Sequence, residues 1–156
     1  MKTRPLLVTL FVLVIAVVLA VGGLYWHQQT VIKDTARTLK YAVTKDSHDP
    51  EFARFRSVRL HSLDGSVWER IRAINFEVLR RNSLGDLFSL FTYRPAMLQL
   101  CGEVNAKNAF GAYVGYKAFY ISGDDKPHPF IDSRDGDKFA KEMCEIFSKF
   151  VVYSEP

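Results

Sequence analysis

Leu6–Leu24 is a run of 19 residues without a charged side chain, and Thr9 carries its only hydroxyl. At about 1.5 Å of rise per residue, a helix of this length crosses the roughly 30 Å hydrocarbon core of a bilayer. Lys2 and Arg4 precede it and Tyr25-Trp26 follow it, where interfacial aromatic side chains settle. The basic flank places the N-terminus in the cytoplasm and everything beyond Trp26 on the far side. The run therefore predicts a single-pass anchor in the inner (cytoplasmic) membrane. Residues 1–5 are then cytoplasmic, 6–26 span the membrane, 27–48 form an amphipathic helix or stalk, and 49–156 form one exported, periplasmic domain.

A cleaved signal peptide competes with this reading, because Ala20-Val21-Gly22 offers small residues at cleavage positions. The run exceeds the usual signal core of about 7–15 residues, and no polar segment precedes Ala20, which favours an uncleaved signal-anchor. Both readings export the domain. The formal net charge is +4, of which Lys2 and Arg4 supply half. The remaining charges are interspersed, so a nucleic-acid footprint is not expected and a solvated surface is.

Beyond the span, Ile32, Ala36, Leu39 and Val43 recur at helical spacing, with Lys33, Thr35 and Lys40 off the stripe. This predicts a helix over 30–44, continuous with the span or restarted after His27-Gln28-Gln29, whose stripe packs on its own domain. Asp49-Pro50-Glu51 has the chemistry of a helix start, with Asp49 as cap. Phe55–Leu63 reads as a strand ending at the turn dipeptide Asp64-Gly65. Ser66 and Glu69 have capping-box spacing, which predicts a helix to about Asn82, although Ile74–Val78 also alternates like a strand. Ser83–Pro95 is too apolar for a free loop; it either covers the core or exposes a patch for a partner.

Leu100–Phe119 places two apolar, alternating runs on either side of Asn105-Ala106-Lys107-Asn108. That pattern predicts a β-hairpin spanning about 97–121 with its turn at those four residues. On the second strand Gly111 and Gly115 alternate with Tyr113, as glycines do where rings lie over the backbone. The last helix is expected to open at Asp135-Gly136-Asp137, with Phe139, Met143, Ile146, Phe147 and Phe150 as its stripe and Ala140, Cys144 and Val151 adjoining. The fold class is α+β: a transmembrane helix followed by an antiparallel sheet packed by a C-terminal helix.

Cys101 and Cys144 are the only cysteines. In an oxidising compartment an even pair reads as a disulfide, here closing a loop of about 40 residues for roughly 3–4 kcal/mol. The competing role for Cys101 is that of a nucleophile. Arg56, Glu103, Asn105, Lys107, Asn108 and Tyr113 are the candidate binding residues at the hairpin. They either bind a sugar, peptide or acidic group, or satisfy turn geometry while Glu103 pairs with Lys107 or Arg56. No zinc spacing, calcium loop, phosphate loop or dinucleotide fingerprint is present, so no metal, cofactor or catalytic residue is assigned.

Two stretches carry a resemblance: Asp49-Pro50-Glu51 with Ala53 and Phe55-Arg56-Ser57-Val58, and Cys101-Gly102-Glu103-Val104-Asn105-Ala106-Lys107-Asn108 through Gly115. They resemble the DPxSAxFR and CGEVNxKNxFGGYxG segments of a family of small, uncharacterised bacterial envelope proteins. Ala112 stands where that family has a second glycine, Phe52 departs from its usual small residues, and residues 64–95 resemble an insertion. The resemblance implies a compact α+β envelope domain and lends no activity. The expected function is a non-enzymatic binding or structural module whose partner is an envelope protein or cell-wall component. The alternative is an envelope enzyme with its site at Cys101–Asn108.

Overall fold

The apolar run does not end where polar residues begin: Arg4–Thr44 is one unbroken helix, α1, of 41 residues. It is about 60 Å long at 1.5 Å per residue. The computed structural model describes residues 4–45, 47, 49–72, 92–124, 126–132, 138–147 and 150–156. Along α1 two patterns succeed each other. From Leu7 to Val21 the large apolar side chains are exposed on every side, as on a helix whose solvent is lipid. From Ile32 to Val43 one stripe (Ile32, Ala36, Leu39, Ala42 and Val43) is buried against the domain, as its spacing predicts. Thr35, expected off the stripe, is buried with it.

The stripe lies on a five-stranded antiparallel sheet in the order β4-β3-β2-β1-β5. The strands are β1 (Arg54–Ser62), β2 (Leu98–Asn105), β3 (Lys117–Ser122), β4 (Phe130–Ile131) and β5 (Val151–Ser154). Two short helices, α2 (Val67–Arg72) and α3 (Phe139–Ile146), complete the described elements, with 3-10 turns at Pro50–Phe52 and Pro95–Met97. Val58, Leu60, Leu98, Leu100, Val104, Phe119 and Ile121 form the α1 face of the sheet. Cys101 and Tyr120, one residue out of phase, face α3 through Ala140, Met143, Cys144 and Phe147. The result is an α+β domain in three layers, helix on sheet on helix.

Several expectations are corrected. The pairing of β2 with β3 runs out at Val104 and Lys117, so the connection is residues 106–116 rather than a tight turn at 105–108. Gly111 and Gly115 have φ of +77° and +95°, outside the extended region, and Tyr113 pairs only with Lys107 in an isolated bridge, so all three belong to that connection. The glycine beneath an aromatic ring is Gly102. It faces Phe119 across the ladder, and a Cβ there would lie 3.1 Å from both the Phe119 ring and Val58 Cα. Ser57, at φ +52°, forms the bulge in β1 that brings Val58 so close.

Met143 and Phe147 of the expected α3 stripe pack inward with the adjoining Ala140 and Cys144, and the rest of the stripe does not. Ala140 is fully buried, whereas Phe139 and Ile146 are 41% and 64% exposed, and Phe150 and Val151 leave the helix for β5 and its approach. The expected cap at 135–137 lies outside the described residues. Asp132 supplies a cap instead, accepting the amides of Ala140 (2.8 Å) and Lys141 (3.4 Å). Asp49 precedes a 3-10 turn but makes no cap hydrogen bond. The Ser66–Glu69 capping box forms as predicted, with reciprocal hydrogen bonds of 3.1 and 3.2 Å. The rest of that predicted helix, and most of Ser83–Pro95, lie outside the described residues; Tyr93 packs on the core.

Cys101 and Cys144 are joined by a disulfide with Cα atoms 5.7 Å apart. It fastens α3 to the middle of β2, on the face opposite α1.

Candidate functional site

The chain from Asn105 to Tyr116 is held in shape by its own asparagines. Asn105 is buried, and its side-chain oxygen accepts the Gly115 amide at 3.0 Å, closing the base of the loop. The Asn108 oxygen accepts the amides of Phe110 (3.0 Å) and Ala112 (3.1 Å), and the Asn108 carbonyl accepts the Gly111 amide at 2.9 Å. These are the local side-chain bonds that Asn favours, with glycine supplying the left-handed backbone. Phe110 is left at the tip, 94% exposed.

Around the loop, cations lie over rings. Lys107 Nζ sits 3.0 Å from Asp49 Oδ2, 4.2 Å from the Phe52 centroid and 5.8 Å from that of Tyr113. The Arg54 guanidinium lies 4.4 Å over Tyr113, whose hydroxyl donates to the Phe52 carbonyl at 3.0 Å. The Arg56 guanidinium lies 4.0 Å over Tyr116 and pairs with Glu103. That hydrogen bond pushes the Arg56 pKa above its ordinary value, so its charge persists at any physiological pH. Each stack aligns a cation with a ring quadrupole.

All six sequence-predicted residues thus meet here: Arg56, Glu103, Asn105, Lys107, Asn108 and Tyr113. Asn105 and Asn108 spend their side chains on loop geometry, and Glu103 takes Arg56 rather than Lys107. Sequence reasoning missed Arg54, Tyr116 and the roles of Asp49 and Phe52. The alternation of Arg54 with Arg56 on one strand face was the available signal. Also missed was an open cleft of about 380 Å³ beside the disulfide, where Arg59 and Lys141 face Glu103 over the Ser57 bulge. Among the described residues, no group of three or more His, Cys, Asp or Glu side chains could hold a metal ion.

The loop lies at the end of the domain farther from the apolar run of α1. Asp49, bound to Lys107, follows the C-terminus of α1 by a few residues, whereas Gln28, Gln29 and Ile32 share a cleft with Ser66, Tyr93 and Phe150 at the other end. An apolar helix carrying an α+β domain with an ordered, cation-and-aromatic loop at its far end is the class of protein that these features define. No protein-family model, curated protein or solved structure matches this chain.

Proposed function

We propose that this protein is a single-pass membrane protein of the bacterial envelope, with its N-terminus in the cytoplasm and its domain in the periplasm. There it acts as a non-enzymatic binding module for an envelope protein or cell-wall component. Lys2 and Arg4 before the span support the orientation, and the Cys101–Cys144 bond supports an oxidising compartment. The observation that carries the binding role is the placement of the loop. Phe110, Arg54 and Arg56 are exposed on a surface that α1 holds away from the lipid, with the loop already ordered. A preordered surface spends less conformational entropy on binding. The alternative, an enzyme using Cys101, lacks a thiolate while that sulfur is bonded to Cys144.

Photo-crosslinking in intact cells tests the reading. A benzophenone side chain at Phe110 is expected to give a discrete adduct that weakens when Arg54 and Arg56 are replaced by Ala. The same probe at Phe130, on β4, serves as the control. Adducts equal at both positions, or none at Phe110, would overturn it.

A further inference from the structure

The other end of the domain carries a second surface. Ser66 and Tyr93 line a cleft with Gln28, Gln29 and Ile32, which lie two to six residues beyond Trp26 on α1. At 1.5 Å per residue that is about 3–9 Å along the helix axis, the depth of a phospholipid headgroup layer. Tyr25 and Trp26 just below are 64% and 75% exposed, as interfacial aromatics are. Ser66 and Tyr93 therefore lie at headgroup level when Leu6–Leu24 spans the bilayer, with α2 beginning at the residue after Ser66 and Arg94 following Tyr93.

These pieces are tied to each other and carry positive charge. Arg70 stacks on Tyr93 at 4.9 Å and donates to the Thr92 carbonyl at 2.9 Å, joining α2 to the strand-bound segment. Arg72 and Arg94 are exposed. Over 66–72 and 92–94, Arg70, Arg72 and Arg94 stand against Glu69, with no lysine. Arginine's planar fork suits phosphate oxygens, and basic side chains near an anionic leaflet gain roughly 1 kcal/mol each.

We infer that α2 and the Tyr93-Arg94 segment form a second membrane contact, in which Arg72 and Arg94 bind the phosphate groups of anionic phospholipids. This rests on the anchored reading above and adds a lipid preference to it. Residues 66–72 and 92–94 then have a role of their own: they seat the domain on the surface that α1 enters.

Hydrogen exchange of the full chain in vesicles tests this. The vesicles are phosphatidylcholine alone, or roughly three parts phosphatidylcholine to one part phosphatidylglycerol. Amides of 67–72 and 92–94 are expected to exchange about fivefold more slowly with the anionic lipid, an advantage that high salt removes. Combined Arg72→Gln and Arg94→Gln substitution should abolish the difference while the amides of β2 keep their protection. Should that variant unfold, the salt titration of the unaltered protein decides alone. Equal exchange in both vesicles, a difference indifferent to salt, or one that survives the double substitution would overturn the inference. The amides of 7–24 report on the anchor separately: their protection in both vesicles shows the span inserted whatever α2 does, and its loss defeats the anchored reading itself.

Discussion

Lys40, on the penultimate turn of α1, forms an ion pair with Glu155, the residue before the C-terminal proline. The pair locks the edge strand β5 to the long helix that carries the apolar run, and Glu155 also accepts the Tyr153 hydroxyl. Burial pushes the Glu155 carboxyl up, but hydrogen bonds from Lys40 and Tyr153, with the Lys40 charge, pull it further down, and the net shift is below the ordinary range.

A depressed carboxylate stabilises the fold above its unfolded-state pKa and loses that contribution as the pH falls through the folded one. Glu155→Gln should therefore lower Tm in detergent at neutral pH by up to about 4 °C. It should also flatten the acid limb below the ordinary carboxylate range. Unchanged melting at both neutral and acid pH would remove the pair from the stability account.

His61 gives a second pH dependence, at higher pH. It is 2% exposed, and its Nδ1 has no hydrogen-bond partner among the described residues. Burial, then the Arg59 charge, holds its pKa below 6.5 despite a hydrogen bond to the Phe147 backbone. The unfolded chain takes up this proton first, so stability is complete above about 6.5 and declines as the pH falls towards the folded value. NMR titration of the imidazole should show a depressed midpoint, and His61→Gln should remove this part of the pH profile.

The disulfide closes a sequence separation of 43 residues. In the chain-entropy model such a loop is worth about 4 kcal/mol. Replacing both cysteines by Ala should lower stability by several kcal/mol and free α3 first, since that helix has only eight residues. Denaturant unfolding with and without reductant, paired with exchange of the amides of 140–147, measures both effects.

Gly102→Ala should cost about 1–3 kcal/mol, because the new methyl would lie 3.1 Å from both Val58 Cα and the Phe119 ring, and one of them must shift. Phe119→Leu in the same chain should recover part of the loss. Additive losses in the double variant would show that the ring does not require the glycine.

Asn108→Ala should leave the core intact while loosening the loop, at a cost of about 1 kcal/mol, as for loss of a capping side chain. The readout is faster exchange at Phe110 and Ala112 with β2 unchanged. Loss of Phe110 crosslinks alongside it would tie the order of the loop to partner binding.

What the sequence made legible follows from the range of the forces involved. The long apolar helix and the Ile32–Val43 stripe were readable because a helix announces itself by length and period. The Ser66–Glu69 box was readable because its partners are three residues apart. β5 was not: Phe147, Phe150 and Val151 continue a helical spacing, and only pairing with distant β1, Leu60 against Tyr153, turns the chain into a strand. The loop at the candidate site was misread for a different reason. Gly111, Tyr113 and Gly115 alternate by residue type, but the positive φ of both glycines is set by bonds from Asn105 and Asn108. The candidate residues were gathered by the loop itself, whereas Arg54 and Tyr116 meet them through sheet register and loop return.

The unbroken course of α1 has a mechanical consequence. With no joint between the apolar turns and the turns in the core, a helix inserted as proposed would make the domain follow any reorientation in the bilayer as one lever. From Leu24 to Thr44 the arm is about 30 Å, so a tilt of about 20° carries its far end some 10 Å sideways. Bilayer thickness, by setting that tilt, would set where Phe110 is presented.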